Sequence, residues 1–131
     1  MPKTVVIIDD DSDDLEIMKE ALSHVDSSLL CISFVYPDEA IRLLGKELIL
    51  LPDYIFIDIN IPRISGQECL STLRRIKEFD EVPIIMYSTS MPSTVADLLK
   101  KKGANFAFQK PFEFNGYITI LERIIYGNNA A

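Results

Sequence analysis

The chain has 131 residues, 48% hydrophobic and 25% charged, with a formal net charge of −7. That length fits one domain with one sizeable core. The acidic balance speaks against a broad basic face for nucleic acid, and no apolar run approaches the roughly 20 residues that span a bilayer. The start, Met1-Pro2-Lys3-Thr4, lacks the apolar core and cleavage site of a signal peptide, so a cytoplasmic setting with no membrane partner is expected. The dense basic runs, Arg74-Arg75-Ile76-Lys77 and Lys100-Lys101-Lys102, read as solvated helix ends that complement the dipole. Cys31 and Cys69 have no CxxC partner, so buried reduced thiols are expected.

In chain order, Val5-Val6-Ile7-Ile8 is a short β-branched run, hence a buried strand. Ser12 to Val25 reads as a helix with Leu15, Met18, Leu22 and Val25 on one stripe, Ser12 as N-cap, and Asp13 and Asp14 in the first turn. Leu29 to Val35 is the second strand. Pro37-Asp38-Glu39 opens a helix carrying Ala40, Leu43 and Leu44. The apolar stretch Leu48-Ile49-Leu50-Leu51 follows, and packing at the helix end is the expected role. Tyr54 to Ile57 is the third strand, ending at Asp58. A loop with Pro62 and Gly66 leads to a third helix, with Leu70, Leu73 and Ile76 inward. Val82 to Tyr87 is the fourth strand, and Pro92 starts a helix that stops at Gly103. Phe106 to Phe108 is the fifth strand. The last helix aligns Tyr117, Ile118, Leu121, Ile124 and Ile125, and Gly127 ends it.

Five β-α units in strict alternation imply a doubly wound α/β fold, with a parallel sheet covered on both faces. Ligands in such sheets bind beyond the carboxyl ends of the strands. Those ends carry Asp9 and Asp10, Asp58, Ser88 with Thr89, and Lys110 with Pro111. Clustered carboxylates repel one another, and a hard divalent cation such as Mg²⁺ relieves them. Ser88 and Lys110 would supply donors for phosphoryl oxygens, and a carboxylate beside Mg²⁺ and Lys is a route to an aspartyl-phosphate. Asp11 is expected to face the loop, so the order of preference among the first acids is Asp10, Asp9, then Asp11.

As an ordered set, Val5-Val6-Ile7-Ile8-Asp9-Asp10-Asp11, Ile55-Phe56-Ile57-Asp58-Ile59-Asn60-Ile61-Pro62 with Gly66, Pro83-Ile84-Ile85-Met86-Tyr87-Ser88 and Lys110-Pro111-Phe112 resemble the response-regulator receiver domain of two-component signalling. The resemblance covers essentially the whole chain. It implies a flavodoxin-like (βα)5 sheet in strand order 2-1-3-4-5, with residues 1–127 as the domain and 128–131 as a short tail. It implies that Asp58 is the phosphoacceptor, that Asp10 ligates Mg²⁺ directly, and that Asp9 holds the ion mainly through water. Asn60 would add its backbone carbonyl, Asp58 a further ligand, and Ser88 and Lys110 would contact phosphoryl oxygens. The Lys110–Pro111 bond is expected to be cis.

The same resemblance implies a stand-alone phosphorelay switch that catalyses only its own phosphorylation and dephosphorylation. The donor would be a sensor histidine kinase or a histidine phosphotransfer protein. The output would be binding of a downstream protein or onward transfer, from a monomer or a phosphorylation-dependent dimer. Members of the family carry Tyr or Phe three residues before the lysine, where this chain has Ala107. Phe106 and Phe108 flank it, but alternation sends them to the other face, leaving Tyr87 or Tyr117 as candidates for the aromatic role. Thr89 stands where a smaller residue is usual and would narrow access. Asn60 and Ser90 are candidates to orient water. His24 reads as a surface helix residue. The alternatives are a haloacid-dehalogenase-like phosphatase using Asp9 and Asp11, which lacks a paired acidic motif after Lys110, a flavodoxin-like cofactor binder, disfavoured by the Asp-rich first loop, and a receiver that binds partners without phosphorylation.

Overall fold

The computed structural model describes residues 3–46, 51–61 and 63–127. Its strands are β1 (Thr4–Ile8), β2 (Leu30–Phe34), β3 (Tyr54–Asp58), β4 (Ile84–Ser88) and β5 (Phe106–Gln109). The helices that follow them are α1 (Ser12–Val25), α2 (Pro37–Lys46), α3 (Gly66–Arg74), α4 (Ser93–Lys101) and α5 (Phe114–Tyr126). All strands pair in parallel in the order β2-β1-β3-β4-β5, a flavodoxin-like arrangement as expected. The order reverses between β1 and β3, so the crevice past their carboxyl ends is where a ligand fits.

Sheet parity divides the core. Val6, Ile8, Ile55, Ile57, Ile84 and Met86 pack under α2, α3 and α4 with Leu44, Leu70, Leu73 and Leu99. Val5, Ile7, Phe56, Ile85 and Tyr87 pack under α1 and α5 with Leu15, Met18, Leu22, Leu121 and Ile125. Strands buried on both faces read as continuous apolar runs, which is how they stood in the sequence.

Several local expectations change. The N-cap of α1 is Asp11, not Ser12: its Oδ1 accepts the N–H of Asp13 at 2.9 Å and of Asp14 at 3.3 Å. A carboxylate here also complements the helix dipole. β4 begins at Ile84 because a 3-10 turn at Lys77–Phe79 is closed by Val82 N–H to Phe79 O, 3.0 Å, and Pro83 has no N–H to give. Ile76 lies just past α3 but stays inward, half-buried against the core. Leu48, Ile49 and Leu50 lie outside the described residues, whereas Leu51 is exposed.

Arg74 is not a solvated helix end. Its Nε donates to Gly103 O at 2.9 Å, Nη1 to Phe79 O at 2.6 Å, and Nη2 to Val82 O and Asn105 Oδ1, each at 2.9 Å. One guanidinium thus ties α3 to the turn before β4 and to the α4–β5 loop. Gly103 has φ 115°, and a Cβ there would lie 2.8 Å from Arg74 Cγ. Both the backbone conformation and the close approach require glycine.

Cys31 and Cys69 are free; Cys69 is buried, and desolvation pushes its thiol up to about 12. Cys31 is only half-buried, with its thiol also raised by burial. No helix among the described residues is long and apolar enough to cross a membrane.

Candidate functional site

The site forms where β1, β3, β4 and β5 end. Asp58 pairs in register with Tyr87, and Ser88 with Gln109. Asp9 continues the parity of Val5 and Ile7, and Asp58 that of Phe56. Lys110 continues that of Phe106 and Phe108, which pack on the α1 and α5 side. So Asp9, Asp58, Tyr87 and Lys110 converge from one side of the sheet edge, and Ser88 meets them from the α4 side. Asp9, Asp58 and Ser88 are the buried polar residues of the described core.

Gly66, at the start of α3, lets that helix press on the backbone that presents Asp58. A Cβ there would sit 2.6 Å from both Asp58 O and Ile59 Cα, and Gly66 N–H donates to Ile59 O at 2.9 Å. The sequence reading placed Gly66 in the motif; the close approach is the reason it must be glycine.

Lys110 is the hub. Its Nζ lies 2.8 Å from Asp58 Oδ2, 2.5 Å from Asp14 Oδ2 and 3.8 Å from Asp9 Oδ2. Its backbone N–H donates to Ser88 O at 2.8 Å. The other Asp58 oxygen, Oδ1, accepts Asn60 N–H at 2.9 Å. Asn60 Nδ2 donates to Ser88 Oγ at 3.2 Å, and Ser90 N–H reaches the same Oγ at 3.4 Å. Ser88 therefore accepts from both, and its own O–H remains available as a donor. A cavity of about 200 Å³ opens here, lined by Asp10, Asp11, Asp14, Asp58, Asn60, Thr89 and Lys110.

Burial pushes the Asp9 carboxyl up to about 6, and the nearby Asp58 charge adds to this; Asp11 N–H, the Tyr87 hydroxyl and Lys110 act the other way. Burial opposes the charge of Lys110, but its bonds to Asp14 and Asp58 outweigh this and hold its pKa above the ordinary lysine value. Desolvation and the adjacent Asp9 raise Tyr87 well above a free phenol, so it is a donor at neutral pH.

Asp9, Asp10 and Asp58 each present a carboxylate oxygen, all within 4.8 Å of one another. This all-oxygen donor set, with two buried acids and one exposed, fits a hard cation that keeps part of its water shell. Asp11 is outside the trio because its carboxylate caps α1, which removes the second acid that a dehalogenase-like reading needs.

Other expectations shift. No peptide bond among the described residues is cis, so Lys110–Pro111 is trans. Trans is the lower-energy isomer by roughly 0.5–1 kcal/mol, and Gly116 makes room for the ring, since a Cβ there would meet Pro111 Cβ at 2.7 Å. Ala107 packs on the α4 side and Phe106 and Phe108 on the α5 side, as alternation predicted. Tyr87 and Tyr117 both belong to the α1 and α5 side, so neither takes the place an aromatic at 107 would occupy. Thr89 is exposed at the cavity rim, and His24 is exposed near the opposite end of α1 from Asp14. Two residues went unassigned in sequence. By its local pattern Asp14 is only a dipole complement in the first turn of α1. Tyr87, whose hydroxyl donates to Asp9 Oδ2 at 2.8 Å, was read only as a strand residue or a spare aromatic.

The family model of the response regulator receiver domain matches residues 5–122. The chain belongs to this family. Among curated proteins, the receiver resembles the DNA-binding transcriptional regulator NtrC of Proteus hauseri, at 28% identity over 122 residues covering 92% of this chain and 24% of that protein. It resembles stress response regulator protein 1 of Clavispora lusitaniae at 26% identity, covering 86% and 58%. The chain thus spans less than two thirds of these relatives. Among solved structures, the phosphorylated cyanobacterial phytochrome response regulator RcpA superposes with a TM-score of 0.86 at 20% identity, covering 100% of this chain and 97% of that one. The chemotaxis response regulator CheY4 of Vibrio cholerae gives 0.81 at 22% identity, covering 95% and 99%. These two likenesses are of fold. The chain is a two-component receiver domain with an acidic cluster at the carboxyl edge of its sheet.

Proposed function

We propose that Asp58 accepts a phosphoryl group from a phosphohistidine, on a sensor kinase or a phosphotransfer protein, and that the adduct works as a signalling switch. The observation that carries this reading is the setting of Asp58. One of its oxygens is held by Asn60 N–H and the other by Lys110 Nζ, beside two further carboxylates and a serine with a free O–H.

An Asp58 oxygen attacks phosphorus as the P–N bond breaks. The imidazole nitrogen keeps the electron pair and takes a proton from solvent. Lys110 then donates to a phosphoryl oxygen, and Ser88 and Asn60 N–H are within reach of others. Mg²⁺ would be held by Asp9, Asp10 and Asp58 with the Asn60 carbonyl, and when bound it neutralises charge on the phosphoryl oxygens. On this reading the reactions of the site are those of Asp58 itself, its phosphorylation and dephosphorylation.

The phosphoryl oxygens favour a state in which Ser88 and the β4–α4 loop close around them, a shift between pre-existing populations. Two contacts support that route. Ser90 N–H bonds Ser88 Oγ, and Met91 N–H bonds Gln109 Oε1 at 3.3 Å, which couples the loop to β5. The α4–β5–α5 face is then the output surface for a partner or onward transfer. Exposure to acetyl phosphate, read by intact mass, tests the proposal. One labile adduct that needs Mg²⁺ and vanishes in Asp58→Asn is expected; no adduct in the wild type would leave a receiver that binds partners without phosphorylation.

A further inference from the structure

Lys110 serves two carboxylates at once, and only one of them belongs to the proposed chemistry. The Asp14 contact, at 2.5 Å, is closer than the 2.8 Å contact to Asp58. The Lys110 side chain is 8% exposed and that of Asp14 is 22% exposed, so this is not a solvated surface pair of negligible weight. Among the described residues, the Asp14 carboxylate takes its one hydrogen bond from Lys110. It does not cap α1, since Asp11 does, and it is not one of the clustered trio. It does line the acidic cavity, and it also lines an adjoining one of about 320 Å³ formed with Ile17, Pro111, Phe114 and Tyr117. Asp14 thus stands at the wall between the site and the α1–α5 cleft, aimed at the lysine.

We propose that Asp14 is a positioning residue that competes with the phosphoryl group for Lys110 and so shortens the life of the phosphorylated state. The inference rests on Asp58 being the phosphoacceptor. In the resting protein Asp14 holds the ammonium beside Asp58. After transfer, the Asp58 oxygen bonded to phosphorus has lost its charge, and Lys110 must turn its donors to the phosphoryl oxygens. Asp14 keeps one of those donors and adds a negative charge facing the phosphoryl dianion. Loss of the adduct follows attack of a water oxygen on phosphorus. The P–O bond to Asp58 breaks, its electron pair returns to the carboxylate, and a water proton passes to solvent as inorganic phosphate leaves. A phosphoryl group less firmly held by Lys110 shields phosphorus less from that attack.

The experiment compares wild type with Asp14→Asn, Asp14→Glu and Asp13→Asn, each with Mg²⁺ and acetyl phosphate. Adduct level and decay are read by intact mass. Asp13 is one residue away, is exposed, and has no side-chain contact with Lys110 among the described residues, so its variant removes the same charge without the contact. Asp14→Asn is expected to prolong the adduct roughly fivefold, the scale of a partly screened ion pair. Asp13→Asn should leave it near wild type, and Asp14→Glu should restore the short lifetime. A second readout needs neither metal nor phosphate. The Lys110 ammonium ¹⁵N resonance should be protected from solvent exchange in wild type and Asp14→Glu, and less so in Asp14→Asn. An unchanged or shorter lifetime in Asp14→Asn, or equal effects of Asp13→Asn and Asp14→Asn, would overturn the inference while leaving Asp58 as acceptor. Absence of any adduct in all four proteins would overturn the functional reading and this inference with it.

Discussion

The Tyr87 hydroxyl donates to Asp9 Oδ2 at 2.8 Å, and both residues are fully buried. Tyr87 also stacks on Phe108, with ring centroids 5.6 Å apart and planes at 14°, and its ring faces Lys110 Nζ at 5.2 Å. The tyrosine is therefore fixed from three directions, and its one polar atom is spent on an acid of the cluster. Tyr87→Phe keeps the stack and deletes the donor. A buried carboxylate that loses a partner costs about 1–2 kcal/mol, so the metal-free variant should show a lower urea midpoint at pH 7 with an unchanged denaturant slope. An unchanged midpoint would mean that water replaces the hydroxyl.

The raised pKa of Asp9 makes a pH prediction with a definite sign. Unfolded, this carboxyl titrates near 3.8; folded, at about 6. Between those values the folded protein holds a proton that the unfolded chain has released. The contribution of Asp9 to stability therefore rises as pH falls from about 6 towards 4 and is lost as pH rises through the same window. In the metal-free protein, Asp9→Asn should remove this slope and gain roughly 2–3 kcal/mol at pH 7. Added Mg²⁺ should reverse the wild-type trend, because ligation needs the ionised acid. Denaturation series at pH 4.5 and 7, with and without the metal, check both signs.

Gly66→Ala should be severe. Its new Cβ would meet backbone atoms of Asp58 and Ile59 at 2.6 Å, and backbone cannot swing aside as a side chain can. Overpacking of this kind costs about 1–3 kcal/mol. Because the strain falls on Asp58 itself, the phosphorylation rate should fall even where the variant is fully folded by circular dichroism. A fully active, equally stable alanine variant would contradict the described placement of α3.

Arg74→Lys should destabilise by roughly 2–4 kcal/mol. A single ammonium cannot serve the carbonyls of Gly103, Phe79 and Val82 and the Asn105 amide oxygen at once. The effect should appear in global stability and in amide exchange of the α4–β5 loop, with Mg²⁺ affinity little changed, since Arg74 lies at the opposite end of the sheet from Asp58.

Much of this architecture was legible in the sequence because it rests on local rules. Apolar runs of four or five residues flanked by amphipathic segments fix the α/β alternation, and the residue after each run then falls at one edge. Period-two parity placed Phe106 and Phe108 opposite Ala107. What escaped was decided by tertiary partners. Asp14 meets Lys110 across 96 positions and Tyr87 meets Asp9 across 78, and no local pattern announces either. Arg74 has the local pattern of a helix-end cation, because the groups it serves come from two segments outside α3, the turn before β4 and the α4–β5 loop. α1 spans Ser12–Val25 as the pattern implies, and the residue that caps it is the one just before, Asp11, whose carboxylate reaches the N–H groups of Asp13 and Asp14.

The central claim is that Asp58, and not another acid of the cluster, takes the phosphoryl group. Borohydride reduces an aspartyl-phosphate to homoserine at the modified position, so peptide mass spectrometry of the trapped protein reads the site directly. The account predicts homoserine at residue 58 alone, only when acetyl phosphate and Mg²⁺ are both present. Homoserine at residue 9, 10 or 14, or a full yield in Asp58→Asn, would contradict it.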